Sequence, residues 1–205
     1  MYIRFFKRLC DFCISLVCSI IFLPIFIILI IVVKLDSKGP VFFCQERVGK
    51  DKKLFHILKF RTMKVDTPKE TPTCMLENPE QYITRVGKFL RKTSLDELPQ
   101  IWNILAGQMS LIGPRPVIPR EKELIAERDR YGANNIRPGL TGWAQINGRD
   151  EVSWKEKARL DGEYVQKMSF SFDVKCFFKT IVAVLKREGM VEGTAGQAKH
   201  KEETH

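Results

Sequence analysis

The stretch Thr93–Pro116, TSLDELPQIWNILAGQMSLIGPRP, joins two adjacent acids to a short amphipathic segment and ends in an arginine between two prolines. Ser94 and Glu97 have the spacing of a capping box, so the pattern predicts a helix that begins near Ser94 and stops at Gly107. Asp96 and Glu97 would lie in its first turn, where the helix dipole favours ionised carboxylates. Such carboxylates suit a nucleophile or a metal ligand, but acids in a first turn are also ordinary capping residues.

The arginine that closes this stretch has little conformational freedom. Pro114 and Pro116 restrict the backbone on both sides of Arg115, so its guanidinium loses less entropy when it binds. This arrangement favours phosphate recognition. Between the acids and the prolines, apolar residues recur at helical spacing, which predicts core residues rather than ligands there.

The charge balance of the 205-residue chain points to a polyanionic partner. Thirty-four Lys and Arg residues stand against 24 Asp and Glu residues, which gives a net charge of +10. Such an excess suits nucleic acid, anionic lipid or phosphorylated substrates, and composition does not choose among them. The six cysteines include the CxxC pair Cys10 and Cys13, a weak signal, and we expect reduced cysteines in a protein that faces the cytosol.

An uncharged apolar run, Ile14–Val33, is just long enough to span the hydrocarbon core of a bilayer. Pro24 stands in its middle, where it removes a backbone hydrogen bond and favours a kink. Basic residues flank both ends, at Arg4, Lys7, Arg8, Lys34, Lys38, Arg47 and Lys50. A crossing helix would show a charge asymmetry. The pattern therefore favours a hairpin that enters and leaves by the cytosolic face, with a single crossing anchor as the alternative.

A change of hydrophobic period after Gly39 and Pro40 predicts a β-hairpin, with VFFCQERV and LFHILKFRTM as its arms. Lys59 and Arg61 point to one face of the second arm, where they either meet a phosphate together or form a solvated face. Residues 65–81 are rich in Pro, Thr and charge and predict a loop without a recognisable motif.

Helical patterns occupy much of the remaining chain. The first predicted helix is Ile83–Lys92. Its last cations, Arg91 and Lys92, either hold a substrate phosphate near Asp96 or complement the helix C-terminus. The second, Arg120–Arg130, has alternating charges that predict a solvated face.

The glycine-rich segment Ile136–Arg149 follows, without a helical or strand period over most of its length. A loop of this composition lets backbone amides approach a phosphate or nucleotide, and Arg137 and Arg149 bracket it. It lacks the spacings of dinucleotide-binding and P-loop motifs, so neither of those sites is indicated.

The C-terminal part predicts two more helices. Trp154–Met168 is amphipathic, and Phe170–Arg187 combines an aromatic face with lysines, so it lies either in the core or on an anionic membrane. The polar residues Val191–His205 predict disorder.

Together these features resemble the bacterial sugar transferases called monotopic phosphoglycosyl transferases. The likeness rests on the basic N-terminus with its broken apolar segment and on KFRTM, SLDELPQIWNILAGQMSLIGPRP, RPGLTGWAQINGR and SFSFDVK. It extends over residues 1–188 and is closest to the small, single-domain members. The resemblance implies an α+β, mainly helical cytosolic catalytic domain with a short β-hairpin over residues 39–188. Residues 1–38 would form a re-entrant membrane helix hairpin broken at Pro24, and residues 189–205 a disordered polar tail.

Members of that family transfer a phosphosugar from a UDP-sugar to undecaprenyl phosphate and release UMP at the cytosolic face of the bacterial inner membrane. The resemblance implies the same ping-pong reaction here, with Mg²⁺ as cofactor, the lipid bilayer as a partner and no nucleic acid. Asp96 takes the place of the nucleophile that forms a covalent phosphosugar intermediate. Glu97 takes the place of its dyad partner, and the two carboxylates are the implied metal ligands.

The resemblance also assigns the cations. Lys59, Arg91, Arg115 and Arg149 match positions expected to hold phosphates, and Arg137 belongs to the same nucleotide-side loop. One departure concerns the apolar segment, because Leu23 stands where the family often has a small polar residue before the proline. Ser19, one turn earlier, can bond to the backbone carbonyls that Pro24 frees.

A second hypothesis is a membrane-anchored basic module without catalysis that binds anionic lipid or nucleic acid. It explains the charge and the anchor but leaves Asp96, Glu97 and Arg115 without a role. The identity of the sugar, the glycan pathway, the role of residues 65–81 and the presence of a homodimer stay open.

Overall fold

The computed structural model of the protein describes residues 2–67, 78–148 and 152–186. It shows a mainly helical α+β fold with a small antiparallel β-hairpin, as the sequence predicts. Arg149, residues 68–77 of the predicted loop and the predicted polar tail lie outside the described residues.

The chain divides into two compact units. The first contains Met1–Ile20, Cys44–Ile57 and Gln100–Gly189, and the second contains Ile21–Phe43 and Leu58–Pro99. Each unit is assembled from separate segments that meet in space. The predicted boundaries at residues 38 and 188 concern membrane insertion and order, and they stay predictions.

Two consecutive helices form the N-terminal region. A π-helical turn, Tyr2–Phe6, leads into α1, Lys7–Ile21, and α2 follows at Leu23–Asp36. No described helix is alone long and apolar enough to cross a membrane, but α1 and α2 qualify together and are bent by 63°. The interruption lies at Phe22, before the proline at which the sequence predicts it. Pro24 instead occupies the first turn of α2, where its missing amide hydrogen is tolerated.

Ser19 does not take the role expected beside this break. Its hydroxyl donates to the carbonyl of Ser15 at 2.8 Å, within α1. The carbonyl that loses a helical donor at Pro24 is that of Ile20, one turn before the proline. Ser19 therefore bonds back along its own helix, a contact that favours bending but does not compensate for the proline.

Helix α1 turns its polar side toward the first unit. Lys7 Nζ lies 2.6 Å from Asp173 Oδ2, and Ser110 Oγ donates to Asp11 Oδ2 at 2.7 Å. Lys7, Asp11 and Ser15 recur every fourth residue and are all buried. The opposite side is apolar and exposed, at Leu9, Phe12, Leu16, Val17 and Ile20. This distribution is the inverse of that on a surface helix of a water-soluble protein.

The predicted hairpin consists of β1, Phe42–Val48, and β2, Leu54–Phe60. Its turn is closed by a hydrogen bond of 2.9 Å from the Gly49 amide to the Lys53 carbonyl. Asp51 adopts a positive φ of 55° there, a conformation that aspartate tolerates better than most residues.

Arg61, directly after β2, does not share an exposed face with Lys59. It is buried and donates to the carbonyls of Ser37 and Lys38, each at 2.7 Å. The burial of Arg61 therefore contradicts both alternatives that the sequence leaves for Lys59 and Arg61, a joint phosphate site and a shared solvated face. Arg61 instead satisfies carbonyls just beyond the C-terminus of α2, and Lys59 is left to the site described below.

Helix α3, Arg85–Thr93, is fixed at both ends. Thr84 caps it by accepting from the Gly87 amide at 2.9 Å, and the Val86 amide donates to Asp36 Oδ2 of α2 at 3.2 Å. Gly87 is required because a Cβ there would lie 2.0 Å from the Thr62 carbonyl oxygen. The helix predicted at Ile83–Lys92 is thus confirmed, and its C-terminus is placed firmly beside the acidic pair.

The remaining elements belong to the first unit. They are α4, Gln100–Leu105; β3, Ser110–Ile112; α5, Lys122–Arg130; β4, Gly139–Thr141; α6, Trp143–Ile146; α7, Trp154–Lys167; and α8, Phe170–Lys186. Strands β3 and β4 pair in parallel, with Ser110 opposite Gly139 and Ile112 opposite Thr141. The glycine-rich segment predicted to lack regular structure therefore contains a strand and a helical turn. A core of Phe55, Ile57, Ile104 and Met109 packs α4 against the hairpin.

Candidate active site

The two candidate catalytic acids lie in a single 3₁₀ turn, Leu95–Glu97, between α3 and α4. Ser94 is not the N-cap that the capping box predicts. It ends α3 in the left-handed conformation with a φ of 57°, whereas an N-cap needs an extended backbone. The buried Pro99 follows, and α4 starts only at Gln100. The acids therefore precede the helix instead of forming its first turn, although the predicted stop at Gly107 is confirmed by its φ of 81°.

Basic side chains from β2 and α3 surround this turn. Lys59 Nζ donates to Glu97 Oε1 at 2.5 Å, and both side chains are partly buried. Lys59 and Arg91 also act electrostatically on Asp96, as does the Glu97 carboxylate. The structure thus brings together four of the residues that the sequence predicts for the site: Lys59, Arg91, Asp96 and Glu97.

The pKa of the Asp96 carboxyl is well above that of an ordinary aspartate. Its pKa is raised to about 6, chiefly by burial and also by the negative charge of Glu97, against the opposing effects of Lys59 and Arg91. The sequence predicts the opposite, because it places Asp96 at the positive end of a long helix. A 3₁₀ turn of three residues supplies little dipole, so desolvation is the larger effect. Cationic neighbours and cationic ligands consequently decide how much of Asp96 is ionised near neutral pH.

The acidic pair can offer two carboxylates to a metal ion. The described part of the chain has no group of three or more His, Cys, Asp or Glu side chains placed to hold one. Mg²⁺ is usually bound by one or two carboxylates, and substrate phosphates and water complete its coordination. Asp96 and Glu97 fit that donor set, although one oxygen of Glu97 is engaged by Lys59.

Arg115 lies in the first unit with an exposed side chain on a firmly held backbone. The carbonyls of Pro114, Arg115 and Pro116 each accept a hydrogen bond. Their donors are the Gly139 amide at 2.8 Å, Arg128 at 3.0 Å and Arg47 at 3.2 Å. The two prolines and these three bonds fix the backbone, so the guanidinium alone keeps its freedom.

Arg128, which donates to the Arg115 carbonyl, is a residue that sequence reasoning missed. Arg128 Nε donates to Asp161 Oδ2 at 2.8 Å, and both side chains are almost completely buried. The sequence predicts a solvated, charged face for α5, which is wrong at this position. The sequence did contain a signal for this pair. Asp161 lies three residues after Ala158 and three before Tyr164, so it falls on the buried face of α7, and a buried carboxylate needs a partner.

Arg137 is also placed in the first unit and is partly buried. Its Nε donates to the Gly107 carbonyl at 2.7 Å, while Arg8 donates to the carbonyls of Ile104 and Leu105. These arginines therefore satisfy carbonyls at the C-terminus of α4. Part of the Arg137 guanidinium is committed to the backbone, and a nucleotide contact for it stays a prediction.

Comparison with known proteins gives this arrangement a context. The family model described as bacterial sugar transferase matches residues 2–187. A Bacillus subtilis protein named uncharacterized sugar transferase EpsL is 41% identical over 90% of this chain and 89% of its own length. The UDP-galactose-lipid carrier transferase of Erwinia amylovora is 42% identical over 91% of this chain.

Some relatives are much longer than this chain, which spans 42% of the Erwinia amylovora protein. It also spans 35% of the undecaprenyl-phosphate glucose phosphotransferase of Komagataeibacter xylinus, at 38% identity. The similarity nevertheless extends from the N-terminal helices through α8 and includes the acidic turn and the Arg115 loop. The chain belongs to the bacterial sugar transferase family.

Proposed function

We propose that the protein transfers a phosphosugar from a UDP-sugar to undecaprenyl phosphate, with release of UMP, as the first membrane step in the synthesis of a glycoconjugate. The names of its relatives support this reaction, since they include undecaprenyl-phosphate phosphotransferases for glucose and for galactose. Because those names differ in the sugar, family membership leaves the donor sugar open. The observation that carries the proposal is the partly buried Asp96–Glu97 pair among Lys59 and Arg91.

In the proposed first half-reaction, an Asp96 carboxylate oxygen attacks the β-phosphorus of the UDP-sugar. A bond forms between this oxygen and phosphorus, the bond from phosphorus to the bridging oxygen breaks, and UMP leaves with that oxygen. In the second half, an oxygen of undecaprenyl phosphate attacks the same phosphorus and releases Asp96. A carboxylate nucleophile divides the transfer into two displacements, which gives ping-pong kinetics.

The cations explain how a carboxylate can approach a diphosphate. Lys59 and Arg91 favour the ionised form of Asp96 and offset its repulsion from the substrate. Glu97 holds the Lys59 ammonium in place through their ion pair. Arg115, with its restricted backbone, is proposed to bind a substrate phosphate. Asp96 and Glu97 would hold Mg²⁺, which neutralises phosphate charge when bound.

We further propose that the protein lies in the bacterial cytoplasmic membrane, with the catalytic residues on the cytosolic face. Its family is generally membrane-associated. The bend between α1 and α2 and the inverted polarity of α1 support a re-entrant hairpin, because a hairpin returns both of its basic ends to one face. The acceptor presents its phosphate at the same interface.

Release of UMP tests the reaction. Detergent-purified protein is incubated with Mg²⁺, undecaprenyl phosphate and either UDP-glucose or UDP-galactose, followed by a wider set of UDP-sugars. Asp96→Asn should abolish UMP release. Asp51→Asn is the matched control, because Asp51 is an exposed turn residue whose positive φ asparagine adopts readily.

The covalent step has its own readout. Protein incubated with a radiolabelled UDP-sugar but no acceptor should retain label at Asp96, and added undecaprenyl phosphate should remove it. Wild-type turnover by Asp96→Asn would refute the nucleophile assignment. Salt-sensitive binding to nucleic acid without UMP release from any UDP-sugar would instead support the non-catalytic module.

A further inference from the structure

Helix α8 presents an exposed surface that the proposed reaction does not use. Its buried face includes Asp173, Cys176 and Ala183. An exposed apolar stripe runs along another face, at Phe170, Val174, Phe177, Phe178, Ile181 and Val182. Lys175 and Lys179 are exposed one turn apart on the border between these two faces.

Both lysines converge on one aromatic ring. Lys179 Nζ lies 4.9 Å from the centroid of Trp143, and Lys175 Nζ lies 5.6 Å from it. Trp143 packs against Phe172 with their ring centroids 4.9 Å apart, which fixes its orientation. The indole face thus attracts two ammonium groups and confines two like charges beside the apolar stripe.

No carboxylate of the described residues lies within ion-pair distance of Lys175 or Lys179. The Glu163 carboxylate is already paired with Lys167 at 2.6 Å and with Arg159 at 3.9 Å. The two lysine charges are therefore left to an external anion. A phosphate group is suited to this because its oxygens can accept from both ammonium groups at once.

We propose that Trp143, Lys175 and Lys179 form a binding site for the headgroup phosphate of an anionic phospholipid. The apolar stripe of α8 contacts the acyl chains of the same leaflet, while the lysines reach the headgroup from the border of the stripe. Charge complementarity selects the lipid, because the chain carries a net charge of +10 and anionic lipids attract such surfaces. The site rests on the proposed membrane location and is independent of the proposed reaction.

Local fluorescence quenching tests this site in the full chain. The protein contains three tryptophans, so Trp102→Phe with Trp154→Phe leaves Trp143 as the only one. This variant is reconstituted into nanodiscs of phosphatidylcholine and phosphatidylglycerol, in which one of the two lipids is brominated. We expect stronger quenching of Trp143 by brominated phosphatidylglycerol than by brominated phosphatidylcholine at equal content.

Substitution of both lysines should remove this preference. With Lys175→Gln and Lys179→Gln, half-maximal quenching should need roughly tenfold more brominated phosphatidylglycerol, because each lysine near an anionic surface contributes to attraction. Lys155→Gln is the control, since Lys155 is an exposed lysine on α7 that does not contact the Trp143 ring. High salt should weaken the preference in the protein that retains both lysines.

Several outcomes would overturn the proposal. The first two concern protein that co-elutes with nanodiscs. Equal quenching of Trp143 by the two brominated lipids would exclude a headgroup site, and so would a lipid preference that is unchanged in the double glutamine variant. Displacement of the brominated lipid by undecaprenyl phosphate would assign the lysines to the acceptor substrate. Failure to co-elute with nanodiscs would refute the membrane location itself, whereas UMP release would still report on the reaction.

Electron spin resonance avoids the tryptophan substitutions. In protein with all its tryptophans, the motionally restricted fraction of spin-labelled phosphatidylglycerol should exceed that of spin-labelled phosphatidylcholine. The difference should decrease with Lys175→Gln and Lys179→Gln but not with Lys155→Gln. An identical restricted fraction in the lysine variant and the unsubstituted protein would count against the site.

Discussion

Arg128 and Asp161 form a buried ion pair with 2.5 Å between Nη2 and Oδ2, and Nη1 of the same arginine donates to the carbonyl of Arg115. The pair therefore joins the packing of α5 on α7 to the backbone of a proposed phosphate ligand. A buried pair of this kind is costly to break on one side, but both partners can often be replaced together by apolar residues. Substitutions can consequently separate the contribution of this pair to folding stability from its contribution to the position of the Arg115 backbone.

Arg128→Met should lower the free energy of unfolding by roughly 3–5 kcal/mol, because Asp161 would remain buried without its partner. Arg128→Met combined with Asp161→Leu should recover much of that stability, as measured by thermal unfolding in detergent. Activity should not recover, since the Arg115 carbonyl still lacks its donor. We expect kcat/KM for UMP release to stay roughly tenfold or more below wild type.

The exposed pair of Arg159 and Glu156 provides the control for this experiment. Arg159→Gln should leave both the unfolding midpoint and UMP release unchanged, because exposed ion pairs are screened by water. Full recovery of kcat/KM in the double variant would show that Arg128 serves packing alone.

Asp96→Asn should stabilise the metal-free protein above pH 6. The folded pKa of Asp96, about 6, exceeds its ordinary value of 3.8, so ionisation opposes folding. The contribution of neutral Asp96 to the free energy of unfolding is fully present below the unfolded pKa. It is lost as the pH rises through the folded pKa of about 6. The gain for Asn should be roughly 1–3 kcal/mol at pH 7.5 and should vanish near pH 4. Thermal unfolding with EDTA at both pH values measures it, and an equal effect at both would contradict the shifted pKa.

The neighbours of Asp96 should move the pH–rate profile in opposite directions. Lys59 lowers the pKa of Asp96 and Glu97 raises it. Lys59→Met should therefore shift the acidic limb of kcat/KM to higher pH, and Glu97→Gln should shift it to lower pH, in addition to any loss of rate. Lys88→Gln, an exposed substitution on α3, should leave the limb in place. If both variants shifted the acidic limb in the same direction, the limb would not report the ionisation of Asp96.

Pro24→Ala should favour one continuous helix through Phe22, because alanine restores the amide donor toward the Ile20 carbonyl. The proposed hairpin would then convert, in part of the population, to a helix that crosses the membrane. Spheroplasts carrying a protease-sensitive tag at the amino terminus report this change. We expect a protected tag in the wild type and in Pro40→Ala, and partial cleavage in Pro24→Ala. Cleavage of the wild-type tag would refute the hairpin.

Much of the local structure could be predicted from sequence. The hairpin, α3, α5, α7 and α8 follow from hydrophobic periods and from capping or turn residues, which act over a few neighbouring positions. The parallel pair of β3 and β4 could not, because each strand has three residues and finds its partner through long-range backbone bonds. The left-handed Ser94 was also missed, since its Ser–Glu spacing fits a capping box equally well.

By itself, the sequence determined the candidate acids, the Arg115 loop between prolines, the broken apolar segment and the family, because these depend on residue identity and spacing. Tertiary structure alone decided that Lys59 pairs with Glu97 and that burial raises the pKa of Asp96. It also assigned Arg61 and Arg128 to backbone support. Burial and pairing depend on which distant segments of the chain meet. For Asp96, desolvation by these segments has a larger effect on the pKa than the adjacent Glu97 has. For the acidic pair, residue identity in the sequence pointed to Asp96 and Glu97, and the fold decided how readily Asp96 ionises.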